Sequence, residues 1–149
     1  MRVRATRPED RAVLGPLGDQ SGSVDEGVVF VAARDLADWT SVEEELTEAF
    51  RLAQEASVAG APVVFVIDSD AMLGRATPLD SMVATGLVSG ARTLAFEGLR
   101  KERYVGIVAT DRSESAGSLG EAVHFAIASR AGHGQVITLG TGHAGAMFP

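Results

Sequence analysis

Cysteine is absent from the 149 residues, and lysine (Lys101), tyrosine (Tyr104) and tryptophan (Trp39) occur once each. Without cysteine there is no disulfide framework, no thiol nucleophile and no thiolate metal site. Basic residues are scarce too: 13 against 20 acidic ones, for a net charge of −7 and a pI near 4.9. That balance argues against nucleic acid or an anionic membrane as the main partner. The N-terminus MRVRATRPED lacks the roughly 7–15-residue apolar core of a signal peptide. The longest uncharged apolar run on a helix, Ser81 to Ala91, is too short to span a bilayer. These absences are compatible with a cytoplasmic protein. With 46% apolar and 22% charged residues and no repeat, low-complexity tract or linker, residues 1–149 read as a single domain.

Four apolar runs are present and read as buried strands: Gly27–Ala33, Pro62–Ile67, Arg103–Thr110 and Gln135–Leu139. Segment 1–26 reads as irregular, with a possible edge strand at Arg2–Thr6 and a helical turn or two at Pro8–Leu14. Between the strands lie helices. One opens at Thr40-Ser41, each hydroxyl having a carboxylate three positions on, and carries Val42, Leu46, Ala49, Ala53 and Ala56 on one face. The next is capped by Thr77 before Pro78, and Ser118 caps another that ends near Arg130. Strands alternating with helices imply an α/β fold: a partial Rossmann-like, mostly parallel sheet of about five strands, right-handed crossovers and helices on both faces.

The candidate chemistry is sparse. Gly140-Thr141-Gly142-His143-Ala144-Gly145 matches the dinucleotide fingerprint in letters, yet only four residues follow, too few for the helix that would receive the pyrophosphate. Asp68, Ser69 and Asp70 collect at the C-terminal end of a strand, where α/β sheets bind ligands. Ser69 lies in no nucleophile elbow, and the Asp68/Asp70 pair offers few metal ligands. His124, His133 and His143 have no metal-ligand spacing, and His133, in a glycine turn, reads as a solvated loop residue. The helix Leu79–Phe96 is apolar or small nearly all round, where a helix covering a sheet needs only one apolar stripe. Such a surface marks a subunit interface, for which Met82, Val83, Gly86, Leu87, Gly90 and Leu94 are the candidates, with Leu46 and Phe50 on the preceding helix.

The run VVFVIDS…LDSMVATGLVSGARTLAFEGLRKERYVGIVA resembles the C-terminal half of the short-chain dehydrogenase/reductase family, of the 3-oxoacyl-carrier-protein reductase type. Ala91-Arg92-Thr93-Leu94-Ala95-Phe96-Glu97 fits the family's TRTLALE helix, and the resemblance extends over roughly residues 27–149. Aligned on that helix, the family's catalytic tyrosine falls on Asp80, its lysine on Ala84, its serine on Ser69, and its helix asparagine near Glu45. Phe30-Val31-Ala32-Ala33 replaces Asn-Asn-Ala-Gly, and the N-terminal units with the glycine-rich cofactor loop have no counterpart. A carboxylate at Asp80 does not replace a phenol whose pKa a lysine lowers. The resemblance therefore implies a truncated, catalytically silent relative that has lost NAD(P) binding and keeps the family's oligomerisation helices, here 41–58 and 78–98. Such a chain would form a homo-oligomer or pair with a full-length reductase, and the last strand and tail would add a second contact. The alternative is a small-molecule enzyme or ligand-binding protein using a strand-end pocket around Asp68, Ser69, Asp70, Asp80 and Asp111.

Overall fold

The computed structural model of the chain describes residues 1–98, 103–111 and 116–140. Five parallel strands form one sheet and stand in chain order: β1 (Arg2–Arg4), β2 (Val28–Val31), β3 (Val63–Asp68), β4 (Val105–Thr110) and β5 (Val136–Leu139). β2, β3 and β4 are buried along their whole length. Alternate residues of these strands face opposite ways, so both faces of the sheet are apolar and both need cover.

Two helices cover one face and two the other. α2 (Trp39–Ala59) and α4 (Pro78–Gly98) pack on Val28, Phe30, Val63, Phe65, Val105 and Ile107. Leu14 of α1 (Pro8–Leu14) and Leu119, Val123 and Ala126 of α5 (Ala116–Ser129) pack on Val3, Val29, Val31, Val64, Val66 and Val108. Because the strands lie in chain order, every connection steps across the sheet in the same direction, and its hand depends only on the face that its helix crosses. β2–α2–β3 and β3–α4–β4 therefore share one hand, and β1–α1–β2 and β4–α5–β5 have the other. Uniformly right-handed crossovers, the ordinary rule, would put all the helices on one face and leave the other bare. The expectation of right-handed crossovers throughout is thus corrected by the need to cover both faces.

Local signals set the helix ends. α2 starts at Trp39 because Asp38, not Thr40 or Ser41, is its cap: the carboxylate accepts from the Ser41 N–H (2.8 Å) and the Ser41 hydroxyl (2.7 Å). The Asp38 carboxyl is held below its usual pKa, first by the Ser41 backbone bond and then by the hydroxyl. α4 starts as its sequence indicates, Thr77 Oγ1 accepting from the Asp80 N–H (3.1 Å). α5 begins two residues before Ser118, which lies inside the helix rather than capping it. A short helix unmarked by periodicity, α3 (Ser69–Met72), follows β3 directly.

β1 pairs in parallel with β2, as expected for Arg2–Thr6. Its outer edge is plugged: Asp19 accepts from the Val3 N–H (2.8 Å), while Gln20 (2.7 Å) and Arg11 (2.8 Å) donate to the Ala5 carbonyl. An edge treated this way is a poor template for a foreign strand.

His133 is not a solvated loop residue. Its Nδ1 accepts from the Val105 N–H (3.2 Å), so the ring proton is on Nε2, which donates to the Ala95 carbonyl of α4 (3.1 Å). The ring lies beside Tyr104, whose hydroxyl donates to the Ala131 carbonyl (2.7 Å). The α5–β5 turn is thereby tied to the end of α4 and the start of β4. His133→Ala leaves a main-chain donor and acceptor unpaired and is expected to cost about 2–3 kcal/mol, measured as a lower midpoint in urea.

Candidate functional site

The C-terminal ends of β2, β3 and β4 carry the polar residues singled out from the sequence, and there Asp68 and Asp80 have structural tasks. Asp68, 4% exposed, ends β3 and caps α3, accepting from the N–H groups of Asp70 (2.8 Å) and Ala71 (3.1 Å). Its second oxygen lies 3.5 Å from Nε of Arg34, which follows β2 and is itself mostly buried. Ser69 opens α3, and among the described residues no base lies within hydrogen-bond distance of its hydroxyl. Asp70 is half-buried in the same turn, and no group of three or more metal-ligating side chains occurs among the described residues.

Asp80 lies in the first turn of α4, 3% exposed, with one oxygen accepting from the Asp35 N–H and the other from the Leu36 N–H, both at 3.1 Å. It thus holds the β2–α2 loop, in which Asp35 adopts a left-handed backbone (φ 59°) that a non-glycine residue keeps only when its surroundings impose it. Ala84, one turn on, is buried in the core. Glu45 is the third buried carboxylate: it takes a bidentate pair from Arg4 (2.7 and 2.5 Å) and accepts from the Ala33 N–H (2.6 Å). Arg4 also bonds Glu48 (2.9 Å) and lies over the Phe30 ring (4.6 Å). Asp80 and Glu45, at the positions of the tyrosine and the asparagine in the resemblance, clamp opposite ends of the segment 33–36.

Arg4 and Arg34 were not foreseen as part of this network. For Arg34 the available signal was an arginine directly after an apolar run, which needs a carboxylate to be buried. Asp10 of α1 lies in the field of Arg34, yet burial outweighs that attraction and raises its pKa.

The second feature is an apolar groove of about 420 Å³ between α2 and α4. Leu46, Phe50, Leu87, Gly86, Gly90 and Leu94 line it, as do Val58 and Thr93, which were not foreseen. Phe50 (68%) and Val58 (81%) stand exposed at its rim, and Phe96 (77%) and Met82 (37%) are exposed elsewhere on α4. One correction applies: Val83 is sealed against the sheet at 0% exposure and cannot reach a partner, and Leu87 forms the groove floor at 4%. The outer surface of α4 is instead made by Met82, Thr85, Gly86, Ser89, Gly90, Thr93 and Phe96 together with the charged Arg92 and Glu97. The two glycines differ. A Cβ on Gly86 would lie 3.3 Å from Leu46 Cδ2, so the α2–α4 contact accounts for it, whereas a Cβ on Gly90 would meet nothing within 4 Å. Residues 141–145 of the glycine-rich tail, and any contact made by that tail, lie outside the described residues.

A five-stranded parallel sheet with α2 and α4 on one face and α1 and α5 on the other is a Rossmann-like α/β fold. Solved structures share that fold. The chain is similar to the promiscuous reductase LugOII, which catalyses keto-reduction at C1 during lugdunomycin biosynthesis, with a TM-score of 0.62 and 18% identity over 78% of this chain and 59% of that one. It is similar to a short-chain dehydrogenase from Bacillus anthracis str. 'Ames Ancestor', with a TM-score of 0.63 and 13% identity over 81% of this chain and 66% of that one. At such identities the likeness is one of fold, and the chain spans less than two thirds of either structure. No protein-family model matches the sequence, and no curated protein does. Among the described residues no helix is long and apolar enough to cross a membrane.

Two outcomes follow for the strand-end network. Asp80→Ala removes both acceptors from the 35–36 amides and is expected to cost about 2–4 kcal/mol, with Asp80→Asn, which keeps one acceptor, costing less; urea unfolding ranks the two. For Asp10 the sign is set by its raised pKa: folding disfavours its charged form, so its contribution worsens as pH rises through the folded pKa. Asp10→Asn is expected to raise the melting temperature at pH 7, with the gain vanishing where the wild-type carboxyl is protonated.

Proposed function

We propose that this chain is a reductase-fold subunit that performs no carbonyl reduction of its own and assembles, through the outer face of α2 and α4, with a full-length short-chain reductase. The observation that carries the reading is the groove between those helices. A glycine inside a helix costs about 1 kcal/mol relative to alanine, and no contact among the described residues explains Gly90. A helix of another subunit crossing there explains it, since a missing Cβ lets backbones approach closely. Phe50 and Val58 at the rim supply apolar surface that such a crossing would bury.

The silence of the chemistry is supported by what occupies the catalytic positions of the resemblance. Proton donation to a carbonyl needs an acid placed at the substrate, and Asp80 has both oxygens turned to the amides of Asp35 and Leu36. The lysine position is the buried Ala84. With the donor and the lysine both replaced at their positions in the resemblance, NAD(P) binding by this chain alone is not expected.

The test is co-expression with full-length short-chain reductases of the same genome, followed by mass measurement of the purified complex and titration with NADPH and NADH. A defined hetero-oligomer is expected, abolished by Gly90→Arg or Phe50→Glu, with no cofactor binding to the isolated chain. A chain that runs as a monomer and captures none of those reductases overturns the assembly reading, and saturable cofactor binding with turnover overturns the silence.

A further inference from the structure

Beyond that reading, we infer that a polar pocket beside β1 is a binding site for an oxyanion, the carboxylate or phosphate of a small molecule. The pocket encloses about 300 Å³ and is lined by Arg2, Arg4, Thr6, Arg11, Gln20 and Glu48, with Ala5 completing the wall. α2 separates it from the apolar groove, Glu48 facing the one and Phe50 the other.

Three arginines meet there in a chain with 13 basic and 20 acidic residues. Arg4 is already neutralised, holding Glu45 and Glu48. Arg2 and Arg11 are not. Arg4, Arg7, Arg34 and Arg51 each take a carboxylate, whereas among the described residues the guanidinium of Arg2 makes no hydrogen bond or ion pair, and that of Arg11 bonds only main-chain carbonyls.

Those carbonyl bonds preorganise the solvent-facing guanidinium of Arg11. Arg11 Nε donates to Ala5 O at 2.8 Å and Nη2 to Thr6 O at 3.1 Å, which fixes the plane of the fork and leaves Nη1 and the second Nη2 proton undirected. Gln20, held by its own bond to Ala5 O (2.7 Å), fixes the adjoining wall. A guanidinium held in place loses less entropy when it binds, and a planar pair of N–H groups matches the two oxygens of a carboxylate or phosphate. Arg2, on the same side of the strand as Arg4, supplies the second cation. Glu48, with one oxygen committed to Arg4, adds a carboxylate to the lining that repels a second anionic group. The ligand expected is therefore a small molecule with one oxyanion group.

Inorganic phosphate and acetate are the probes, titrated into the full chain at constant ionic strength and followed by backbone amide shifts. Saturable shifts confined to Arg2–Thr6, Arg11 and Gln20 are expected, with a dissociation constant of order 1 mM; the tighter of the two anions names the group. Arg2→Gln removes a side chain with no partner among the described residues, so the fold has no stake in it, and it should weaken binding roughly tenfold. Arg11→Lys keeps the charge, loses the fork and should weaken binding as much. Arg51→Gln, in an ion pair on the exposed side of α2, should change nothing. The inference is overturned if neither anion shifts these amides beyond an equal concentration of chloride, or if Arg2→Gln binds as the wild type does. Neither result bears on assembly through α2 and α4.

Discussion

A parallel sheet that is apolar on both faces must be covered on both, and in this chain that demand governs the connections. With five strands in chain order, one crossover hand alone supplies a single layer of helices. Two connections therefore take the disfavoured route, and α1 and α5 close the second face over Val3, Val64, Val66 and Val108. The cost of the less common hand is offset by burial of Leu14, Leu119, Val123 and Ala126, each worth about 1–3 kcal/mol when fully removed from water. Removing α5 would expose half the sheet.

The polar residues are subordinate to that layering. At the C-terminal strand ends an α/β sheet usually holds its ligand, and here Asp68, Asp80 and Glu45 are turned inward to hold loops and caps. Buried carboxylates are tolerable only with such partners. Main-chain N–H groups and arginines donate to them, so the three tie β1, the loop after β2, α2, α3 and α4 into one frame. A site designed to exchange protons with a substrate needs the reverse, polar atoms left facing a cavity.

Much of the architecture was legible in the sequence because unbroken apolar runs such as VVFVID and VGIVAT admit only fully buried parallel strands. Thr77-Pro78 fixed the start of α4 for local reasons. The crossover hands were not legible, since they depend on which face is still bare, a property of the whole sheet. Asp38 escaped notice as a cap because the hydroxyls of Thr40 and Ser41, each followed by a carboxylate, gave a competing local signal. Val83 was misplaced outward because its helix is apolar or small on nearly every side, so periodicity could not separate the sheet-facing stripe from the outer one. His133 lay beyond sequence reasoning altogether: its partners, Ala95 and Val105, are main-chain atoms brought to it by two other elements.

The strand order also bears on how the chain folds as it is made. In a sheet whose strands pair in the sequence in which they are synthesised, each new strand after the first finds one of its partners already in place. No strand waits for a later one to be inserted between it and its neighbour. Loop-closure entropy is therefore met in short instalments, a circumstance that favours fast assembly even for parallel pairing. The N-terminal edge is sealed early by its own Gln20 and Arg11, leaving growth to proceed from the opposite side, one βα unit at a time.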